Sequence, residues 1–187
     1  VWTPIFDDQP TGSIGAIAIA PSNPNIIYVG SGEGLQRPDL SVGDGIYKSA
    51  DGGATWRHLG LRDGQQIALI IVDPRDANRV FAAVLGHPYG PNEERGVFRS
   101  TDGGETWQKV LYTDANTGAV DLAFDPSNPQ TVFAVLWAAR QAPWEIGSSF
   151  TLSANNGLYN RDALEALIRK AIATAAKYDL PLYCGEW

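Results

Sequence analysis

Methionine is absent from this chain of 187 residues, cysteine occurs once and histidine twice. Cys184 has no partner for an internal disulfide, and it reads as a small apolar residue rather than a nucleophile. His58 falls on an outer strand and His87 in a long loop, so no His/Cys/carboxylate spacing forms a zinc site; neither a metal nor a cofactor is expected. No apolar run reaches the 18 or so residues of a membrane span. Basic residues are outnumbered, 14 Lys and Arg against 21 Asp and Glu, a net charge of −7. Without a Lys/Arg cluster, that balance argues against nucleic acid or an anionic membrane as partner. No Gly-rich phosphate loop and no Ser-His-Asp arrangement is present. The chain also opens without an initiator Met or a signal peptide, which suggests a fragment or a processed polypeptide.

What the chain has in quantity is a repeat. Ser49-Ala50-Asp51-Gly52-Gly53-Ala54-Thr55-Trp56 returns 51 residues later as Ser100-Thr101-Asp102-Gly103-Gly104-Glu105-Thr106-Trp107. A short apolar strand precedes each copy and a second strand follows it, which makes a hairpin. Asp51 and Asp102 can accept hydrogen bonds from the turn's own N–H groups. The glycines, Gly53 and Gly104 among them, allow the positive φ of such a turn. Ser49, Ser100, Thr55 and Thr106 flank the aspartates, and Trp56 and Trp107 bury their rings at the hairpin base. A catalytic or metal-binding Asp is the competing reading; turn chemistry accounts for every atom and is preferred.

The repeat extends beyond the hairpin. The apolar runs ending at Pro21, Pro74 and Pro126 recur at a spacing of 53 and 52 residues, each followed by a polar turn and a second apolar strand. The first strand of each unit is almost wholly apolar, as a strand buried on both faces should be. Four antiparallel strands per unit of roughly 40–50 residues is the pattern of a β-propeller blade. The expected fold is therefore mainly β: a partial propeller of about two and a half four-stranded blades over residues 1–159. A C-terminal α-helix and a short strand follow over residues 160–187.

The Ser-x-Asp-x-Gly-x-Thr-Trp pattern resembles the Asp-box, or bacterial neuraminidase (BNR), repeat. That repeat belongs to sialidases, oligoxyloglucan-type glycosidases and sortilin-type propellers. The resemblance implies a carbohydrate-related, secreted or periplasmic protein, and it treats the Asp-box as a marker of fold lying away from any active site. Arg37, Arg95 and Arg140 do not fall at recognisable positions for a sialidase arginine triad.

Residues 2–6 align with the last strand of the later units, so the hairpin before Trp2 is missing. A chain cut from a longer propeller is favoured over ring closure by this strand. In a four-stranded meander the Asp-box and Asp-Pro turns share one end of the sheets, and the long loops share the other. Those loops carry Arg37; His87, Tyr89 and Arg95; and Arg140, Trp144 and Glu145. Aromatic plates with Arg and Glu suit a glycan or an extracellular protein, and function concentrates on such loops. Solvated loops bridging among themselves are an equal reading, although loops longer than about 6 residues exceed the usual sheet connection. Asn92-Glu93 mimics a glycosidase Asn-Glu-Pro motif, but Glu94 stands where Pro is required.

The pattern breaks after Asn156-Gly157-Leu158-Tyr159. Asn160 reads as an N-cap. Leu164, Leu167, Ile168, Ala171, Ile172 and Ala175 then recur at helical spacing. Leu180-Pro181-Leu182-Tyr183-Cys184-Gly185-Glu186-Trp187 resembles the segment entering strand seven of the family 5 glycoside hydrolase barrel. That resemblance gives Glu186 the place of the catalytic nucleophile, at the C-terminal end of a barrel strand where active sites lie. A retaining glycosidase needs a second carboxyl about 5 Å away, and no segment here supplies one, so Glu186 is expected to be inert in this chain. The switch within one strand suggests that residues 156–159 join two gene fragments. Two functional classes remain: a glycan- or protein-binding scaffold module, and a glycosidase acting on O-glycosyl bonds. Open blades expose strand edges and apolar faces, so marginal stability or self-association is expected.

Overall fold

The computed structural model describes residues 2–34 and 40–138, together with the backbone of residues 153–154 and 157–158. By its internal contacts the chain divides into a unit over residues 1–146 and a second over 147–187. In the second unit the described backbone forms one short antiparallel pair, Ser153–Ala154 with Gly157–Leu158. The expected helix from residue 160, the strand after it, and Glu186 lie outside the described residues, as do Arg37, Arg140, Trp144 and Glu145. Among the described residues there is no α-helix, and no helix is long and apolar enough to cross a membrane.

The first unit is built from antiparallel meanders. Strands β1 (Ile14–Ile19), β2 (Ile27–Ser31), β3 (Ile46–Ser49) and β4 (Arg57–His58) form one four-stranded sheet in chain order. Strands β5 (Ile67–Val72), β6 (Val80–Val84), β7 (Gly96–Ser100) and β8 (Gln108–Leu111) form a second with the same order. A third sheet contains β9 (Gly118–Phe124) and β10 (Val132–Trp137). The register repeats: Ile19 pairs Ile27, Val72 pairs Val80 and Phe124 pairs Val132, each pair closing on its polar turn. The opposite end of each inner pair carries an irregularity, at Ile14/Ala16, Ile67/Leu69 and Val135/Leu136.

Alternation along the strands sends successive side chains to opposite faces, and the facing sides of successive sheets meet. Ala16, Tyr28 and Ile46 of the first sheet pack against Ile67, Ile70 and Val72 of the second. Phe81, Ala83 and Val97 on the other face of the second sheet pack against Ala119 and Leu122 of the third. The second sheet is thus covered on both sides.

The first strand departs from expectation. β1 was expected to be buried on both faces, yet Ile14, Ile17 and Ile19 are exposed. Its apolar sequence suits a neighbouring sheet, and among the described residues none lies on that side. On the far side of the third sheet Phe133, Val135 and Trp137 are exposed for the same reason.

Candidate functional site

Register fixes two ends. The 20–26 and 73–79 turns share one end with the Ser49–Trp56 and Ser100–Trp107 turns. At that end the Gly52 N–H donates to Asn25 O (3.0 Å) and the Gly103 N–H to Asn78 O (2.9 Å). The 32–45 and 85–95 loops and the 59–66 connection occupy the other end.

In the first of the two repeated turns, Ser49 Oγ donates to Asp51 Oδ1 (2.7 Å) and accepts from the Gly53 N–H (2.8 Å). Thr55 gives Asp51 its N–H (2.9 Å) and its hydroxyl (2.6 Å). The second turn reproduces the set, with Ser100–Asp102 at 2.7 Å, Gly104 N–H to Ser100 Oγ at 2.7 Å, and Thr106 on Asp102 at 3.0 and 2.6 Å. These bonds, led by the threonine hydroxyl, hold both aspartates down to about 2. An acceptor already filled in this way has little capacity left for a substrate or a metal.

Each of these turns also ties its sheet to the segment before it. Trp107 Nε1–H donates to Leu59 O (2.9 Å), and Trp56 Nε1–H donates to Ile5 O (2.5 Å). Ile5 stands three residues after Trp2 as Leu59 stands three after Trp56, so residues 2–6 occupy the place of an outer strand. Phe6 completes the contact edge-on to Tyr47 and Trp56. Arg57 makes a forked pair with Glu105 across the seam between the first and second sheets, beside the Trp107–Leu59 bond.

The loop end holds a cleft of about 610 Å³, lined by Ser13, Ile14, Gly15, Glu33, Gly34, Ala68 and Val120. Ile14 and Gly15 open β1, Ala68 lies near the start of β5, and Val120 near the start of β9, so the three inner strands converge there. Gly15 has no room for a side chain, since an added Cβ would stand 2.3 Å from Ile67 O. The walls are therefore largely main chain and small side chains. Glu33 is the acid among the described lining residues. Its N–H donates to the buried Gln66 Oε1, and its Oε1 accepts from the Ser41 N–H (3.0 Å). Gln66 Nε2 donates to Ser41 O (3.1 Å), closing a network that fixes the carboxylate. A concave site of roughly 300–1,000 Å³ with one fixed polar group is the usual form of a small-ligand site.

Beside the cleft, the 85–95 loop is organised by a cluster that local sequence reading misses. Asp63, in the 3-10 turn Arg62–Gly64, accepts a hydrogen bond through Oδ1 from His87 Nε2 at 2.8 Å. Asn92 donates to Asp63 O (2.7 Å) and accepts from the His87 N–H (3.0 Å). Asp63 is 24 residues from His87, and no motif links them. Tyr89 is half-buried on the same loop.

Arg95 is placed differently from expectation. Grouped by sequence with ligand-facing residues, it is wholly buried. Its guanidinium donates to the carbonyls of Leu85 (2.6 Å), Gly90 (2.8 Å) and His87. A planar fork of donors suits three converging carbonyls, so the side chain shapes the loop from inside. Of the seven binding candidates, the structure describes His87, Tyr89 and Arg95, all on this loop. Among the described residues no group of three or more His, Cys, Asp or Glu is placed to hold a metal ion.

No family model matches the chain. In sequence it is 30% identical over 122 residues to a xyloglucanase of a Paenibacillus species, covering 58% of this chain and 11% of that protein. It is 29% identical over 155 residues to a xyloglucanase of Acetivibrio thermocellus, covering 73% of this chain and 17% of that one. In structure it is similar to an ancestral GH74 enzyme, with a TM-score of 0.51 and 26% identity over 68% of this chain and 16% of the other. The chain thus spans 11% and 17% of the length of the two curated relatives.

Proposed function

We propose that residues 2–138 are consecutive blades of an Asp-box β-propeller related to glycoside hydrolases, and that their loop end binds a polysaccharide of the β-glucan type. Supporting the reading is the convergence of β1, β5 and β9 on one cleft with a single fixed carboxylate, Glu33. Glu33 and the exposed main chain can accept hydrogen bonds from sugar hydroxyls. Tyr89 lies on the 85–95 loop of the same end, and Arg37, Arg140, Trp144 and Glu145 are proposed from the sequence alone as further contacts. The blades are proposed to continue to residue 159, with residues 160–187 as a separate segment of barrel-like sequence. A polysaccharide ligand would place the protein outside the cytoplasm.

Hydrolysis is the second reading, favoured by the likeness to two xyloglucanases. It needs two carboxyls about 5–9.5 Å apart, and the described lining of the cleft offers Glu33.

Affinity electrophoresis of the whole chain through xyloglucan tests the binding reading, with product chromatography run on the same mixture. Retardation without released oligosaccharide is expected. Glu33→Gln keeps an oxygen for the Ser41 N–H and removes the charge, so affinity should fall about tenfold, equivalent to ~1.4 kcal/mol. Unretarded migration through xyloglucan, cellulose derivatives and mixed-linkage glucan would overturn the module reading. Released oligosaccharide would replace it with the hydrolase.

A further inference from the structure

His87 is held by three neighbours, and they hold every polar atom it has except one. Its N–H donates to Asn92 Oδ1 (3.0 Å), and its carbonyl accepts from Arg95 Nη2. Its ring Nε2 donates to Asp63 Oδ1 (2.8 Å). Asp63 is fixed in turn by Asn92 Nδ2, which donates to its carbonyl (2.7 Å) and to Oδ2 (3.3 Å). Asn92 and Arg95 are themselves buried. Gly86, at φ 88°, leaves no room for a side chain between them, since an added Cβ would stand 2.4 Å from Arg95 Cγ and 2.5 Å from Asn92 Oδ1. An ionised carboxylate only accepts, so the proton of the neutral ring lies on Nε2 and the lone pair on Nδ1. Among the described residues no group bonds Nδ1, and the side chain is 26% exposed. His58 is the contrast: its Nε2 donates to Asp44 O (2.7 Å) and its Nδ1 accepts from the Gly60 N–H (3.0 Å), so both ring nitrogens are satisfied within the fold.

We infer that His87 Nδ1 is a ligand contact of the loop end, accepting a hydrogen bond from a hydroxyl of an uncharged sugar, with Asp63 as the residue that positions the ring. The inference rests on the reading of this end as a polysaccharide-binding surface. A mere connection between two neighbouring strands takes two to five residues, and a buried arginine is costly unless its donors are matched. Here a longer loop carries a buried arginine and a buried asparagine, and both act on His87. A ring already held in one tautomer and one orientation loses little freedom on binding. The charges around it favour an uncharged ligand. Asp63 and Glu93 are exposed, Arg95 points inward onto carbonyls, and Arg62 and Lys109 are paired with Asp44 and Glu93. An acidic glycan would meet carboxylates there.

The test follows the ring nitrogens of the whole chain, labelled with nitrogen-15, during titration with xyloglucan oligosaccharides. The chain has two histidines, so His58 serves as the internal control. Before ligand, His87 should carry its proton on Nε2. During the titration its Nδ1 resonance should move in the direction of an accepted hydrogen bond, while both nitrogens of His58 stay in place. His87→Ala should weaken binding about fivefold, the effect of one hydrogen bond of ~1 kcal/mol. His87→Asn sets an oxygen near the place of Nδ1 and should bind within about twofold of the wild type. Asp63→Asn can face Nε2 with its oxygen or its amide, so part of the ring should change tautomer, which a loss of stability alone would not cause. If His87→Ala fails to fold, the wild-type titration still decides. A proton on Nδ1 in the free protein would overturn the inference without any ligand. So would xyloglucan binding that leaves Nδ1 unmoved, and that result would leave the polysaccharide reading standing. A shift of Nδ1 by polygalacturonate as large as that by xyloglucan would overturn the choice of an uncharged ligand. A wild type that binds neither xyloglucan, cellulose derivatives nor mixed-linkage glucan would overturn the polysaccharide reading and this contact with it.

Discussion

Asp51 and Asp102 show how one side chain can carry both a turn and a pH dependence. Each carboxylate takes a hydroxyl and an N–H from the threonine four residues on, and a hydroxyl from the serine two residues before. Those bonds hold the folded-state value at about 2 against an ordinary 3.8. The unfolded chain then binds more protons between these limits, so stability rises with pH across that window. The contribution is complete above about pH 4 and is lost as pH falls through about 2. Urea midpoints measured from pH 5 to pH 2 should decline for the wild type. Asp51→Asn with Asp102→Asn should lower the midpoint at pH 5 and flatten this part of the decline. An unchanged slope in the double variant would mean that the carboxylates are not held by these bonds. The turns were legible in sequence because the side-chain partners of both aspartates lie within four residues. Arg95 was not: its acceptors are carbonyls, and any residue supplies a carbonyl, so nothing in the letters tells an inward arginine from an outward one.

Strand order and spacing were legible for the same local reason. The apolar runs ending at Pro21, Pro74 and Pro126 became β1, β5 and β9, and the strands after their turns became β2, β6 and β10. The Asp63–His87–Asn92 cluster was not legible, because it joins a connection between sheets to a loop within one. The seam between successive sheets lies between these cases, visible once the repeat is aligned. Gly104 has φ 95° and packs where an added Cβ would meet Leu59 Cδ1 at 2.3 Å, while Trp107 bonds Leu59 O. Gly104→Ala should therefore cost about 2 kcal/mol, through the positive φ and the overlap together. Leu59→Ala opens a cavity and should cost about 3 kcal/mol. Combined, the two should cost less than their sum by about 1 kcal/mol, because the shortened Leu59 no longer meets the new methyl. Strict additivity in a urea double-mutant cycle would show that the glycine is required by its turn alone and not by the seam.

Burial of a given strand position depends on whether a neighbouring sheet exists, and residue type does not report that. Ile17 and Ile70 hold the same place in the repeat. Ile70 is 3% exposed beneath the first sheet, whereas no sheet among the described residues lies over Ile17, which is 66% exposed. An apolar strand therefore reads as doubly buried in all three units, but it is so only where both neighbours are present. The energetic consequence is direct. Ile70→Ala removes packed methyl groups and leaves a cavity, at a cost of about 3 kcal/mol. Ile17→Ala removes methyl groups already facing water, at a cost below about 0.5 kcal/mol. Denaturant midpoints taken at low protein concentration should separate the two variants by this difference. Equal costs for the two variants at low concentration would mean that the leading face of the first sheet is already covered within a single chain.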